Sequence, residues 1–231
     1  MTRLAANRDT HLTPAEIADE ALRQFDAGGD EPSIRSLAAA LKVAPSAIYH
    51  HYGSRTGIVR ASVELVWEES AQELLRLVPE PFEADPARVL VASGIATRRA
   101  WLAHHRLAPY MAATPESNES ITNALGLMAN VLERMGLKGE RAAKALHTYS
   151  SFMIGAVLFA AARRAANEEL DEPRNGHRGE RFLTKSRAGR CSSKRTRLSI
   201  DEVMDISLTD PERDEKLFAD GLRRLVDSLR G

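Results

Sequence analysis

Apolar residues recur along most of the chain at helical rather than strand spacing. Ile17, Ala21, Leu22 and Phe25 fall on one face of an amphipathic helix. In front of them, Thr13-Pro14-Ala15-Glu16 supplies an N-cap threonine, a proline at the first helical position and a glutamate able to close a capping box. Gly28-Gly29 ends the stretch, so the first helix is expected over 13–27. Behind an N-cap Ser33, residues Ile34, Leu37, Ala38 and Leu41 repeat at i, i+3, i+4 and i+7, which predicts a second helix over 33–41. After Lys42-Val43-Ala44, Pro45 opens a short third helix over 45–51. Gly53-Ser54 interrupts it before a longer helix from about 55 to 78.

Beyond Pro79 and Pro81 the helices lengthen, to about 86–106, 116–136, 139–166 and 211–230. No convincing alternation of β-branched residues breaks the series, so the expected fold class is all-α. It divides into an N-terminal unit of three short helices over 1–60 and a larger C-terminal unit over 61–231. Between the last two helices lies a gap, 167–210. Within it, residues 173–198 hold nine Lys/Arg against one acid, Glu180. That composition predicts a basic, weakly structured insert.

Across 231 residues Lys plus Arg equals Asp plus Glu, 32 of each, so overall charge implies no partner. A lone cysteine, Cys191, excludes an internal disulfide and a multi-cysteine metal site. The N-terminal residues hold no apolar stretch of signal-peptide length, which predicts a cytoplasmic protein. Ala145–Ala162 carries no formal charge, but His147, Thr148, Tyr149, Ser150 and Ser151 crowd its first third. It is read as a buried helix and not as a membrane span.

Local charge is more informative. From Ser33 to Val63 there are four cations (Arg35, Lys42, Arg55, Arg60) and no carboxylate, while residues 1–31 are acid-rich. Val43, Ile48 and Tyr52 are placed to pack on Leu37 and Leu41. That leaves Ser46, Ala47, Tyr49 and His50 outward, with His51 at the boundary. His50 and His51 are adjacent and point about 100° apart on a helix, and no Cys, Asp or Glu stands near enough to complete a metal site. Neither has an acidic orienting partner in the segment, so no catalytic residue is assigned. An outward Tyr–His surface without carboxylates on a helix–turn–short helix suits a polyanion, and double-stranded DNA above all. A solvated basic hairpin is the alternative.

The stretch "SIRSLAAALKVAPSAIYHHYGSRTGIVRA" resembles the tetracycline-repressor (TetR) family of bacterial transcription regulators. The resemblance runs from Thr13 to about Val66 and rests on Ser33, Leu37-Ala38, Val43, Ile48-Tyr49, Tyr52 and Arg55 in order. It implies a helix-turn-helix whose recognition helix is 45–51. Ser33, Tyr49, His51 and Arg55 would then position phosphates, and Arg35, Ser46, Ala47 and His50 would read base edges. Four positions depart from the family pattern. Lys42 replaces a turn glycine and implies positive φ; Ala44 replaces a capping serine; Arg55 replaces lysine; Gly57 replaces an acid.

The resemblance also implies a homodimer and a small-molecule effector, with no cofactor. For a ligand pocket the candidates are Trp101, His105, Tyr110, Met128, His147 and Phe152, with His147 the best polar candidate and His104-His105 read as a solvated helix end. For a dimer interface they are Phe152 and Ala156 with the 4,3,4-spaced seam Phe218, Leu222, Leu225 and Leu229. The expected function is a ligand-released homodimeric repressor. The alternatives are an activator or interaction protein without a ligand, and an enzyme using the C-terminal histidines.

Overall fold

Thr13 begins the first helix as its sequence implies. In the computed structural model, which describes residues 12–28, 31–112, 119–171 and 211–229, Thr13 Oγ1 accepts from the Glu16 amide at 3.2 Å. The Thr13 amide and hydroxyl both donate to Glu16 Oε2, at 2.8 and 2.9 Å, and these two hydrogen bonds hold the Glu16 carboxyl below its usual range. Helix α1 spans Pro14–Ala27 and stops at Gly28, whose φ of 75° suits glycine. Helix α2 (Ile34–Leu41) has a reciprocal cap between Ser33 and Ser36. Helix α3 (Pro45–His51) follows, then α4 (Arg55–Leu77), whose N-cap Ser54 accepts from the Gly57 amide.

The turn between α2 and α3 bears both expected departures. Lys42 sits in the left-handed region at φ 57°, ψ 40°, and Ala44 makes no side-chain cap. The Val43 amide still reaches the Ala38 carbonyl at 3.0 Å, so the turn closes at the cost of one strained side-chain-bearing residue.

Helices α5 (Pro86–Ala103), α6 (Glu119–Arg134), α7 (Gly139–Asp171) and α8 (Pro211–Leu229) follow among the described residues, with a 3-10 segment at Ala108–Ala112. Every regular element among the described residues is helical. Helix α5 stops at Ala103, short of 106, because His104 leaves helical geometry; α7 extends to Asp171, into the first residues of the expected insert. The rest of that insert, with Cys191, lies outside the described residues.

Two apolar clusters organise the chain. The smaller joins Ile17 and Ala21 of α1, Leu37 and Ala38 of α2, Ile48 of α3 and Ile58 of α4. Tyr52 closes it, donating its hydroxyl to the Pro14 carbonyl at 2.9 Å; burial raises its pKa. The larger cluster gathers α4 to α8 around Trp101, Leu90, Leu132, Met153 and Leu222, and it includes Leu22 and Phe25 of α1. Helix α4 feeds both, through Ile58 on one side and Val63 and Val66 on the other. It therefore runs unbroken across the expected division after residue 60.

Helix α7 is long and apolar enough, over Gly139–Glu168, to cross a membrane by length and composition. Its buried face (Ala145, Tyr149, Met153, Val157, Ala161) belongs to the larger core and packs on α5, α6, α8 and the 3-10 segment. Burial pushes the Tyr149 hydroxyl well above its ordinary pKa, and that hydroxyl donates to the Leu90 carbonyl at 2.9 Å.

The seam expected to face a partner turns inward in part. Phe218 and Leu222 are buried with Val226 in the core of the protomer, and Phe218 stacks on Phe152 at 5.8 Å. Leu225 and Leu229 are half-buried. A 4,3,4 spacing marks one face of α8; packing against α5 and α7 takes its Phe218–Leu222 half into the core and leaves Leu225 and Leu229 half-buried. Helix α8 is tied down by charge as well: Asp214 accepts from Arg98 and Arg163, and Glu215 from Arg99. Its hydrogen bonds to Glu215 and Glu73, against some desolvation, raise the Arg99 pKa.

Candidate nucleic-acid interface and interdomain cavity

The small core fixes the outward surface of α2 and α3. With Ile48 buried and Tyr52 pinned to Pro14, the neighbouring side chains of α3 must point away. Tyr49 is 54% exposed, His50 and Ser46 are exposed, and Ala47 and His51 are half-buried. His50 and His51 meet edge to face at 5.5 Å, which orders both rings. Arg35 and Ser33 on the neighbouring helix are exposed too. The Ser33 hydroxyl is engaged with Ser36, whose own hydroxyl donates to Gln24 at 2.7 Å. Seven of the eight residues expected at a DNA surface thus stand at, or half at, the surface with no carboxylate bonded to them among the described residues.

Arg55 differs. Its guanidinium is paired with Glu31, and its Nε donates to the Pro32 carbonyl at 3.1 Å. The absence of acids between residues 33 and 63 hid this pairing, because Glu31 lies just outside that window and folds back on it. The same carboxylate accepts a hydrogen bond from Tyr110 in the 3-10 segment. One side chain thereby joins the edge of the outward surface to the C-terminal unit.

Further contacts cross the same junction. His104 sets Nδ1 against Asp26 of α1 and Nε2 against Glu69 of α4, both at 2.9 Å. His105 Nε2 meets Glu168 of α7 at 3.1 Å, and Arg106 donates to the same carboxylate at 2.9 Å. Burial opposes ionisation of Glu168, but the charges of His105 and Arg106 and their hydrogen bonds hold its carboxyl below the usual range. The two histidines are therefore junction groups largely out of solvent, contrary to the expected solvated helix end.

A cavity of about 300 Å3 lies between these parts, walled by Phe25 and Gln24 of α1, Glu31, His105, Arg106 and the alanine face of α7. Of the six residues expected to line a pocket, His105 is a wall of this cavity. Trp101 and Met128 are buried in the larger core; Phe152 stacks on Phe218; Tyr110 stands half-buried, edge-on to Phe25 and bonded to Glu31. His147 is exposed on α7, so its position before an apolar stretch did not carry it inward. Sequence reasoning missed Glu31 and Arg106. The one local signal for Glu31 was its place beside Pro32 at the mouth of an acid-free stretch. No group of three or more His, Cys, Asp or Glu side chains that could hold a metal ion occurs among the described residues.

A family model described as bacterial regulatory proteins, tetR family, matches residues 3–62, and one described as tetracyclin repressor-like, C-terminal domain, matches residues 79–230. No curated protein matches the chain. Among solved structures the chain is similar to a possible TetR family transcriptional regulator from Streptomyces coelicolor A3(2), with 20% identity and a TM-score of 0.66 over 94% of this chain and 98% of that one. It is similar to TetR from Acinetobacter baumannii AYE, with 21% identity and a TM-score of 0.66 over 95% and 98%. The Streptomyces coelicolor TetR family protein ActR, in complex with actinorhodin, gives 23% identity and a TM-score of 0.66 over 95% and 96%. At these identities the likeness shows the fold.

Proposed function

The chain belongs to the tetR family of bacterial regulatory proteins, and on that premise we propose that this DNA-binding transcriptional regulator is a homodimeric repressor released from its operator by a small molecule. The reading is one of binding, with no catalytic step and no cofactor, and it acts where the DNA is, in the cytoplasm. The observation that carries it is the exposure of Tyr49 and His50 beside Ser46 and Arg35 on a surface whose inner side is fully committed to a core. Helix α3 is the recognition helix. Ser33, Tyr49, His51 and Arg55 hold the phosphates, and Arg35, Ser46, Ala47 and His50 face base edges.

Two copies would place their recognition helices one helical turn of DNA apart, roughly 34–36 Å, or somewhat more, on a partly palindromic site. The outer faces of α7 and α8 support the pairing. Phe159 is 64% exposed and Leu217 46% exposed, and on the same two helices Gly155 is exposed and Ala156 and Leu225 are half-buried. Apolar side chains on two adjacent helices suit a helix-bundle interface, with Phe152, Ala156, Leu225 and Leu229 at its inner margin. Release requires the effector to favour a placement of the two recognition helices that misfits the operator.

The test is titration of the full chain against the DNA flanking its own gene, beside sedimentation analysis. Dimeric, salt-sensitive, site-selective binding is expected, weakened for all sequences by Tyr49→Ala and altered in preference by His50→Ala. A monomer that binds no DNA, or variants that bind as the parent does, would overturn the reading.

A further inference from the structure

The cavity at the junction is unlike the DNA-facing surface in chemistry. Its body is apolar, formed by Phe25, Pro109, Leu158 and the alanines of α7. Ala161, Ala162 and Ala165 share one face of that helix, so a flat ring can lie close against the backbone there. Its rim is polar, and the rim is unevenly satisfied. Glu31 already accepts from both Tyr110 and Arg55. Arg106 and His105 share a single carboxylate, Glu168. Arg106 Nε is buried with no hydrogen-bond partner among the described residues. A buried donor without an acceptor is costly, and the Arg106 side chain that carries it lines the cavity and is about a third exposed, so its guanidinium is open there to an acceptor, best an anionic one.

We propose that this cavity is an effector site for a small planar carboxylic acid, its ring against Phe25 and the α7 alanines and its carboxylate on the Arg106–His105 rim. The binding claim stands on the cavity; its regulatory consequence rests on the tetR-family reading above. An occupant touches α1 and α7 at once, so it cannot bind equally well to two different placements of those helices. Arg106 couples the ligand to α1 directly. Its guanidinium lies over Gly28, where an added Cβ would sit 2.9 Å from Arg106 Cζ. A ligand carboxylate competes with Glu168 for Arg106 and disturbs that support at the end of α1, three residues before Glu31 and its partner Arg55.

Calorimetry on the full chain with benzoate and naphthoate, and with the matched neutral amides, tests the site. Naphthoate is expected to bind, and naphthamide to bind about tenfold or more weakly, the scale of one charge-assisted hydrogen bond. Arg106→Gln should weaken naphthoate by a similar factor and Arg106→Lys recover part of it. Ala162→Phe, from an exposed position on the cavity wall, should abolish binding, with Ala165→Leu as a second filling variant and thermal melts to confirm folding. In the DNA titration naphthoate should weaken binding about fivefold or more, and DNA should weaken naphthoate binding by the same factor. Absence of binding by either acid, equal binding of the amides, or indifference to the filling variants overturns the site. DNA and naphthoate binding without mutual effect overturns its regulatory role. Failure of all DNA binding overturns the regulator reading, while calorimetry still decides the cavity.

Discussion

Glu31 and Arg55 form an ion pair at the edge of the surface that carries Tyr49 and His50, and the Glu31 carboxylate is shared with Tyr110. Both partners are about half exposed, so the pair contributes little to stability, on the order of 0–1 kcal/mol. Its consequence lies in the field: a carboxylate beside a phosphate-facing cation lowers the attraction for DNA. Glu31→Gln is expected to tighten DNA binding roughly threefold to tenfold. Arg55→Ala should weaken it and reduce the slope of log affinity against log salt by about 1. Fluorescence anisotropy at two salt concentrations reads both.

The turn at Lys42 and Ala44 offers a stability test independent of function. Lys42 holds φ at 57°, which costs a residue with a Cβ roughly 1–2 kcal/mol, partly offset in a glycine variant by its looser unfolded chain. Lys42→Gly should therefore stabilise by about 0.5–1 kcal/mol while weakening DNA binding through the lost charge. Ala44→Ser should add about 1 kcal/mol by supplying the absent cap. These correspond to rises in melting temperature of roughly 1–4 °C for Lys42→Gly and roughly 2–4 °C for Ala44→Ser.

Gly94 lies where α5, α7 and α8 cross. A Cβ there would overlap Leu222 Cδ2 and lie 3.0 Å from Met153 Sδ and 3.1 Å from Tyr149 Oη. Gly94→Ala should destabilise by about 1–3 kcal/mol despite alanine's better helix propensity. Gly126→Ala on α6, with no described residue within 4 Å of the added Cβ, should stabilise by up to about 1 kcal/mol. Opposite shifts in thermal unfolding check the pair.

Glu168 gives a pH signature. Its carboxyl is held below the usual range in the folded protein. Its contribution is therefore present above the unfolded value of roughly 4.3 and is lost as pH falls through the folded pKa. The melting temperature of the parent should exceed that of Glu168→Gln at pH 6, and the gap should narrow as pH falls below the unfolded value of roughly 4.3. A gap unchanged to pH 3 would show that Glu168 acts only by packing.

The sequence alone determined the helices and the inner side of the small N-terminal core. Thr13 with Glu16, Ser33 with its amides, and Ile34-Leu37-Ala38-Leu41 act within one or two turns, so their geometry follows from spacing. That also settled the outward direction of Tyr49 and His50, since a seven-residue helix with Ile48 buried leaves them no other side. Tertiary structure decided what the 4,3,4 seam of α8 packs against, why His104 and His105 left solvent, and how Glu31 came to hold Arg55 and Tyr110. These depend on the rotation and crossing of helices far apart in the chain. Periodicity names a face but carries no information about which body that face meets.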